Sequence, residues 1–193
     1  MFHLGEGRDG FITVDEKGAM AGVDRCTILL WDGDAEVYVP AQTYGLAPEL
    51  REAFEGMQFP PRSIPALDLV RWDKSPLLVH ADAEGKQISR DLADRFDIQE
   101  MLVLPLLAQG ELLGVMMVDY AGQAHLFTER MIDMLTGIAN QAAMVIQSAR
   151  LVQAQREEAY ASMALLQVAE GISRATDLGE TLETIVRLAP ILL

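Results

Sequence analysis

The chain is poor in the residues on which covalent and metal chemistry depend. One cysteine, Cys26, occurs among 193 residues, which excludes an internal disulfide and a thiolate zinc cluster and fits a reducing cytoplasm. Cys26 sits in the apolar run CTILLW, where a free cysteine is expected to be a buried, inert thiol. The three histidines, His3, His80 and His125, are far apart, and there is no HExxH, no paired-cysteine spacing, no glycine-rich phosphate loop and no nucleophile elbow. No catalytic residue and no metal ligand set is therefore expected. Basic residues are also scarce: 15 Lys and Arg against 29 Asp and Glu leave a formal charge of −14. Nucleic acid and anionic membrane surfaces both need a basic face, so neither is an expected partner. Long apolar runs are missing as well, since Gly, Asp or Gln interrupts each one well short of the roughly 20 residues that cross a bilayer. The opening MFHLGEGRDG lacks the basic start and apolar stretch of a secretory signal.

Half of the residues are apolar, enough to bury one core of ordinary domain size with a segment left over. Residues 1–20, with Gly5, Gly7, Gly10 and Gly18 among charges, predict an irregular lead-in. Thr27–Trp31 and Glu36–Tyr44 are rich in β-branched, aromatic and aliphatic residues, with DGD between them, and predict a hairpin. Pro48, Glu49 and Gly56 mark the ends of a short helix. Pro60, Pro61 and Pro65 impose an extended path before a second short helix through Trp72. LLVH, residues 77–80, predicts a short strand, and Ile88, Leu92 and Phe96 at fourfold spacing predict a small helix docking one narrow face.

In PLLAQGELLGVMMVDY two apolar runs are separated only by Gln109, Gly110 and Glu111. Strands apolar at nearly every position must be covered on both faces, so this hairpin belongs in the middle of a sheet. Gly110 supplies the positive φ of a tight turn, and Gly114 predicts a close backbone approach or a bulge. From Thr128, a capping residue, the period lengthens to between three and four. A heptad seam runs through Met131, Leu135, Ile138, Ala142, Val145, Ala149, Val152, Arg156, Ala159, Met163 and Leu166. Ile132, Met134 and Ile146 widen its early part for packing on the sheet. The seam predicts a parallel two-chain coiled coil, with Leu135, Ile138, Ala142, Val145, Ala149, Val152, Ala159, Met163 and Leu166 as the dimer positions.

Several of these stretches resemble the GAF domain, a sensor module related in shape to PAS domains. GVDRCTILLWD is similar to its first strand, YGLAPEL to the segment leaving its second, MLVLPLLAQGELLGVMMVDY to its fourth and fifth strands, and HLFTERMIDMLTGIANQAAMVIQSARL to its C-terminal helix. The resemblance implies an α+β fold: a central antiparallel sheet of about six strands with helices on both faces, plus a long C-terminal helix. It assigns residues 21–150 to the GAF domain and 151–170 to a coiled-coil signalling helix. AEGISRATDLGETLETIVRLAPILL resembles the opening helix of a second GAF module, so residues 171–193 are expected to be its truncated start.

Family members hold small ligands between the sheet and the elements of residues 60–96. The resemblance therefore implies Tyr44, Trp72, His80, Arg95, Phe96, Met101, Val103 and Asp119 as candidate ligand residues. Taken singly, each is better read as structural: Phe96, Met101 and Val103 fill the core, and Arg95 or Asp119 makes an ordinary ion pair. A covalent bilin is not expected, because Cys26 is in the first strand and RSIP has Ser63 where bilin binders carry an acid. Haem on the lone His80 is not expected either, no cyclic-nucleotide signature is present, and the cofactor stays unknown. Relatives that reduce oxidised methionine use reactive cysteines, which Cys26 alone cannot supply. The reading is a cytoplasmic, homodimeric, non-catalytic sensing module of a sensor kinase or phosphatase, with a ligand-free dimerisation scaffold as the alternative.

Overall fold

The computed structural model describes residues 23–81, 86–124 and 126–174 and positions 182 and 186. His3, Asp82, His125, the 1–20 lead-in and most of 171–193 lie outside the described residues. Two units divide the chain, Met1–Gln147 and Ser148–Leu193.

The first unit is built on five strands: β1 (Arg25–Asp32), β2 (Val37–Tyr44), β3 (Leu77–His80), β4 (Glu100–Ala108) and β5 (Glu111–Asp119). They form one sheet in the order β2-β1-β5-β4-β3, antiparallel throughout. About six strands were expected; five are present among the described residues. The apolar hairpin holds two of the three inner places. Its turn has φ of 52° at Gln109 and 82° at Gly110, the doubly positive geometry whose twist matches that of the flanking strands. A side chain at Gly114 would run into the Leu29 carbonyl of β1, and the β4–β5 register slips beside it, between Leu106 and Leu107. Both expectations for this glycine are met.

Period-two alternation divides the strands between two cores. Cys26, Ile28, Leu102, Leu104, Leu106, Met116 and Val118 face the long helix α4 (Glu129–Arg174) and its Leu135, Ala139, Ala142, Ala143 and Ile146. Thr128 starts this helix by accepting the Met131 amide on Oγ1 at 3.4 Å. Leu29, Met101, Val103, Val115 and Met117 face the other way, toward α1 (Pro48–Glu55), α2 (Pro65–Asp73) and α3 (Arg90–Phe96). Pro occupies the first turn of α1 and α2, where no amide is needed. The Ser89 hydroxyl caps α3. Arg71 of α2 lies 3.6 Å over the Trp31 ring, which meets Tyr38 edge-on at 4.9 Å, so a cation–π stack docks α2 on β1.

The expected dimer seam divides along α4. Leu135 and Ala142 are buried against their own sheet, and Ile138 packs at the edge of the same cluster. The reason is geometric: over two or three turns, a 3.5-residue seam and the sheet-facing stripe of a 3.6-residue helix coincide. Met134, read as part of the sheet-facing stripe, is 47% exposed, and Met144 and Val145 are exposed as well. In the second unit Val152, Ala159, Met163 and Leu166 are exposed, together with Leu151, Tyr160 and Leu165. Among the described residues no helix is long and apolar enough to cross a membrane.

Candidate ligand cavity

A cavity opens between the sheet and the three short helices. The space available to a water's centre is about 40 Å³. Phe54, Ile64, Ile88, Phe96, Met101 and Met117 make most of its wall, joined by Leu46, Leu92 and Ile98. Arg25, Thr27 and Asp119 form its polar end. β1 places Arg25 and Thr27 on the same face as Leu29, and β5 places Asp119 on the same face as Met117, so alternation alone puts charge at the end of an apolar wall.

Arg25 is 6% exposed and fully engaged on three sides. Its Nε donates to Asp119 Oδ1 at 2.5 Å, Nη1 to the Phe96 carbonyl at 2.6 Å, and Nη2 to the Asp97 carbonyl at 2.9 Å. Arg25 and Asp119 also stand opposite each other in the β1–β5 ladder. One guanidinium thus closes the C-terminus of α3, whose last carbonyls have no helical partner, and ties that helix to two central strands. Asp119 Oδ1 also accepts the Ala121 amide at 2.9 Å. Burial pushes the Asp119 carboxyl up from its ordinary range, and the Arg25 hydrogen bond and charge only partly offset this.

Not every polar group at this end is spent. Asp119 Oδ2 and the Thr27 hydroxyl have no hydrogen-bond partner among the described residues. Thr43, opposite Thr27 in the β1–β2 ladder and 6% exposed, has a buried hydroxyl with no partner. Directly opposed residues in an antiparallel pair share a face, so Thr43 stands next to Thr27 on the cavity side of the sheet without lining the cavity itself.

Of the eight candidate residues, Phe96, Met101 and Asp119 come together on this cavity. Val103 is buried in the same cluster without lining the cavity. Arg95 is exposed, its guanidinium 5.7 Å from the Phe96 ring centre. Tyr44 pairs with Cys26 and packs with it on the α4 face. Trp72 is 88% exposed, because α2 buries Ala66, Leu67 and Val70 and turns position 72 outward. His80 follows the buried Val79 and alternates to the other side of β3. It meets Glu100 with Nδ1 3.4 Å from Oε1 in an open surface cleft shared with Arg90, Asp94 and Asp97. Among the described residues no group of three or more His, Cys, Asp or Glu could hold a metal ion. Arg25 and Thr27 were missed, although the signal was present: in RCTILLW they occupy the inward phase with Leu29 and Trp31, and a charge at an inward position needs a partner.

Comparison with known proteins agrees with the fold. The GAF domain profile matches residues 11–146. A search of curated proteins returned no match. Among solved structures, a domain of a putative two-component sensor histidine kinase from Sinorhizobium meliloti is 27% identical, with a TM-score of 0.54 over 72% of this chain and 88% of that one. The second GAF domain of DevS from Mycobacterium smegmatis is 26% identical, with a TM-score of 0.52 over the same shares of the two chains, 72% and 88%. The GAF domain/HD domain protein from Geobacter sulfurreducens is 17% identical, with a TM-score of 0.60 over 67% of this chain and 84% of that one, and it supports the fold alone. With the five-stranded sheet covered on both faces and the profile spanning most of its length, the chain belongs to the GAF domain family.

Proposed function

We propose that this chain is a non-catalytic small-molecule-sensing and dimerisation module of a cytoplasmic signal-transduction protein of the sensor kinase or phosphatase type. The observation that carries the reading is the Arg25–Asp119 pair, which lines the cavity and at the same time holds the end of α3 to β1 and β5. A ligand that favours one placement of α3 acts on those strands, whose reverse side packs on α4. A differential affinity of about 1–3 kcal/mol between two arrangements is enough to couple such sites. The sensor histidine kinase domain from Sinorhizobium meliloti supplies the signalling context.

Dimerisation is assigned to α4. The first unit leaves Met134, Met144 and Val145 exposed on this helix, and the second leaves Leu151, Val152, Met163 and Leu166. The ligand-free scaffold is kept as a second reading because the cavity is small: the roughly 300–1,000 Å³ of ordinary ligand pockets far exceeds it.

Native mass spectrometry of freshly purified protein, set against its denatured mass, tests both. A dimer carrying a reproducible extra mass is the expected result. A bare dimer under every condition favours the scaffold, and a bare monomer overturns the role given to α4.

A further inference from the structure

We propose that the cavity takes a small neutral molecule with an apolar body of a few carbons and a terminal carboxamide or hydroxyl, bound at Thr27 and Asp119. This deepens the sensing reading and rests on it. The size follows from the volume: the space available to a water's centre is about 40 Å³, well below the roughly 150 Å³ of a cavity that admits benzene, so the occupant is smaller than benzene, with at most about five non-hydrogen atoms.

The charge follows from Arg25 and Asp119, which already neutralise each other. An anion would meet the free oxygen of Asp119, and Arg25 would have to leave Asp119 or the α3 carbonyls to receive it. An ammonium would leave a net buried charge beside Arg25. Both arrangements carry the large cost of an unpaired ion away from water. A neutral donor carries no such cost. An N–H or O–H reaches Asp119 Oδ2, while the ligand's oxygen accepts from the Thr27 hydroxyl.

The unpartnered groups indicate that the polar end is built for an occupant. The Thr27 hydroxyl lines the cavity without a protein partner among the described residues, and Thr43, paired with Thr27 across the β1–β2 ladder but not itself in the lining, has a buried hydroxyl without one. Buried polar atoms in native proteins are satisfied by protein, water or ligand. Water would satisfy them as well, but it gains nothing against Phe54, Ile88, Met101 and Met117, and an alkyl body displaces poorly bonded water there. Met101 and Met117 adapt their shape to such a body at little cost.

The test is a set of ¹H–¹⁵N NMR titrations with four probes of matched size: propanamide, 1-butanol, propanoate and butylammonium. Propanamide and 1-butanol are expected to shift the amides of residues 25–27, 88–98 and 117–119 saturably, with the two ions at least about tenfold weaker, and Thr27→Val to weaken propanamide about fivefold. Thr27→Ala serves as a second variant should Thr27→Val fold poorly. An ion binding as well as propanamide overturns the ligand class and leaves the sensing reading standing. Saturable binding untouched by both Thr27 variants overturns the assigned contacts. If no probe gives saturable shifts at these residues, the proposal fails, and the sensing reading is then judged separately by whether native mass spectrometry finds a bound mass.

Discussion

The two faces of one sheet are built from alternate residues of the same strands, yet they are finished differently. On the α4 face, among the described residues, one long helix presents Leu135 and Ile146 with Ala139, Ala142 and Ala143, and these small side chains let it lie close on the apolar surface. On the opposite face three short helices and their loops must cover the same area. They leave a cavity whose polar end is held by Arg25 and Asp119. Continuous cover produces a close-packed layer, whereas cover in pieces leaves room for a ligand and needs a tie to hold the pieces down.

The largest effect is expected where the tie is cut. Arg25→Met strands the Asp119 carboxylate and two α3 carbonyls and should lower unfolding stability by about 3–5 kcal/mol in urea denaturation. The double variant Arg25→Met/Asp119→Leu should recover most of that loss. If the single variant costs nothing, the pair does not hold this face together. Added volume should then separate the faces. Ala139→Leu overpacks the α4 face and is expected to cost about 1–3 kcal/mol. Leu92→Phe, whose extra atoms enter the cavity, should cost less than half of that in the same assay.

Gly110→Ala probes the hairpin that both faces share. Its φ is +82° with open space around it, so only backbone strain opposes the change, and a loss of about 1 kcal/mol is expected.

The smallest effect is a pH response that differs between the faces. Burial, assisted by the Asp119 charge, pushes the Cys26 thiol on the α4 face up to about 12 from 9.0. The folded state keeps this proton longer than the unfolded chain. Stability from this group is therefore full below pH 9.0 and declines as pH rises toward about 12. Near pH 9.5 the loss should be about 0.8 kcal/mol, and Cys26→Ala should abolish it. Asp119 on the cavity face is raised as well, so its contribution has the same sign but falls in the acid range, as pH rises above 3.8. A stability profile flat above pH 9.0 would show that Cys26 is not buried as described.

Much of the architecture was legible because local chemistry carries it. Gly110 and the two apolar runs specify the central hairpin, Thr128 specifies the start of α4, and the proline positions specify how α1 and α2 begin. The site was less legible. Phe96, Met101 and Asp119 were found through their elements, while Trp72 and Tyr44 looked equally suitable until helix rotation and strand phase turned them elsewhere. The seam on α4 was ambiguous for a similar reason: one apolar stripe suits either a partner helix or the chain's own sheet.

The sequence by itself determined the elements, their ends and the need to bury the central hairpin on both faces, because period, capping and turn geometry are properties of neighbouring residues. Only the tertiary structure decided that Arg25, 94 residues away from Asp119, would meet it across two strands and close α3. It also decided which of two coincident stripes on α4 the sheet would take. Both depend on the register and facing of segments distant in the chain, which spacing between neighbours does not encode.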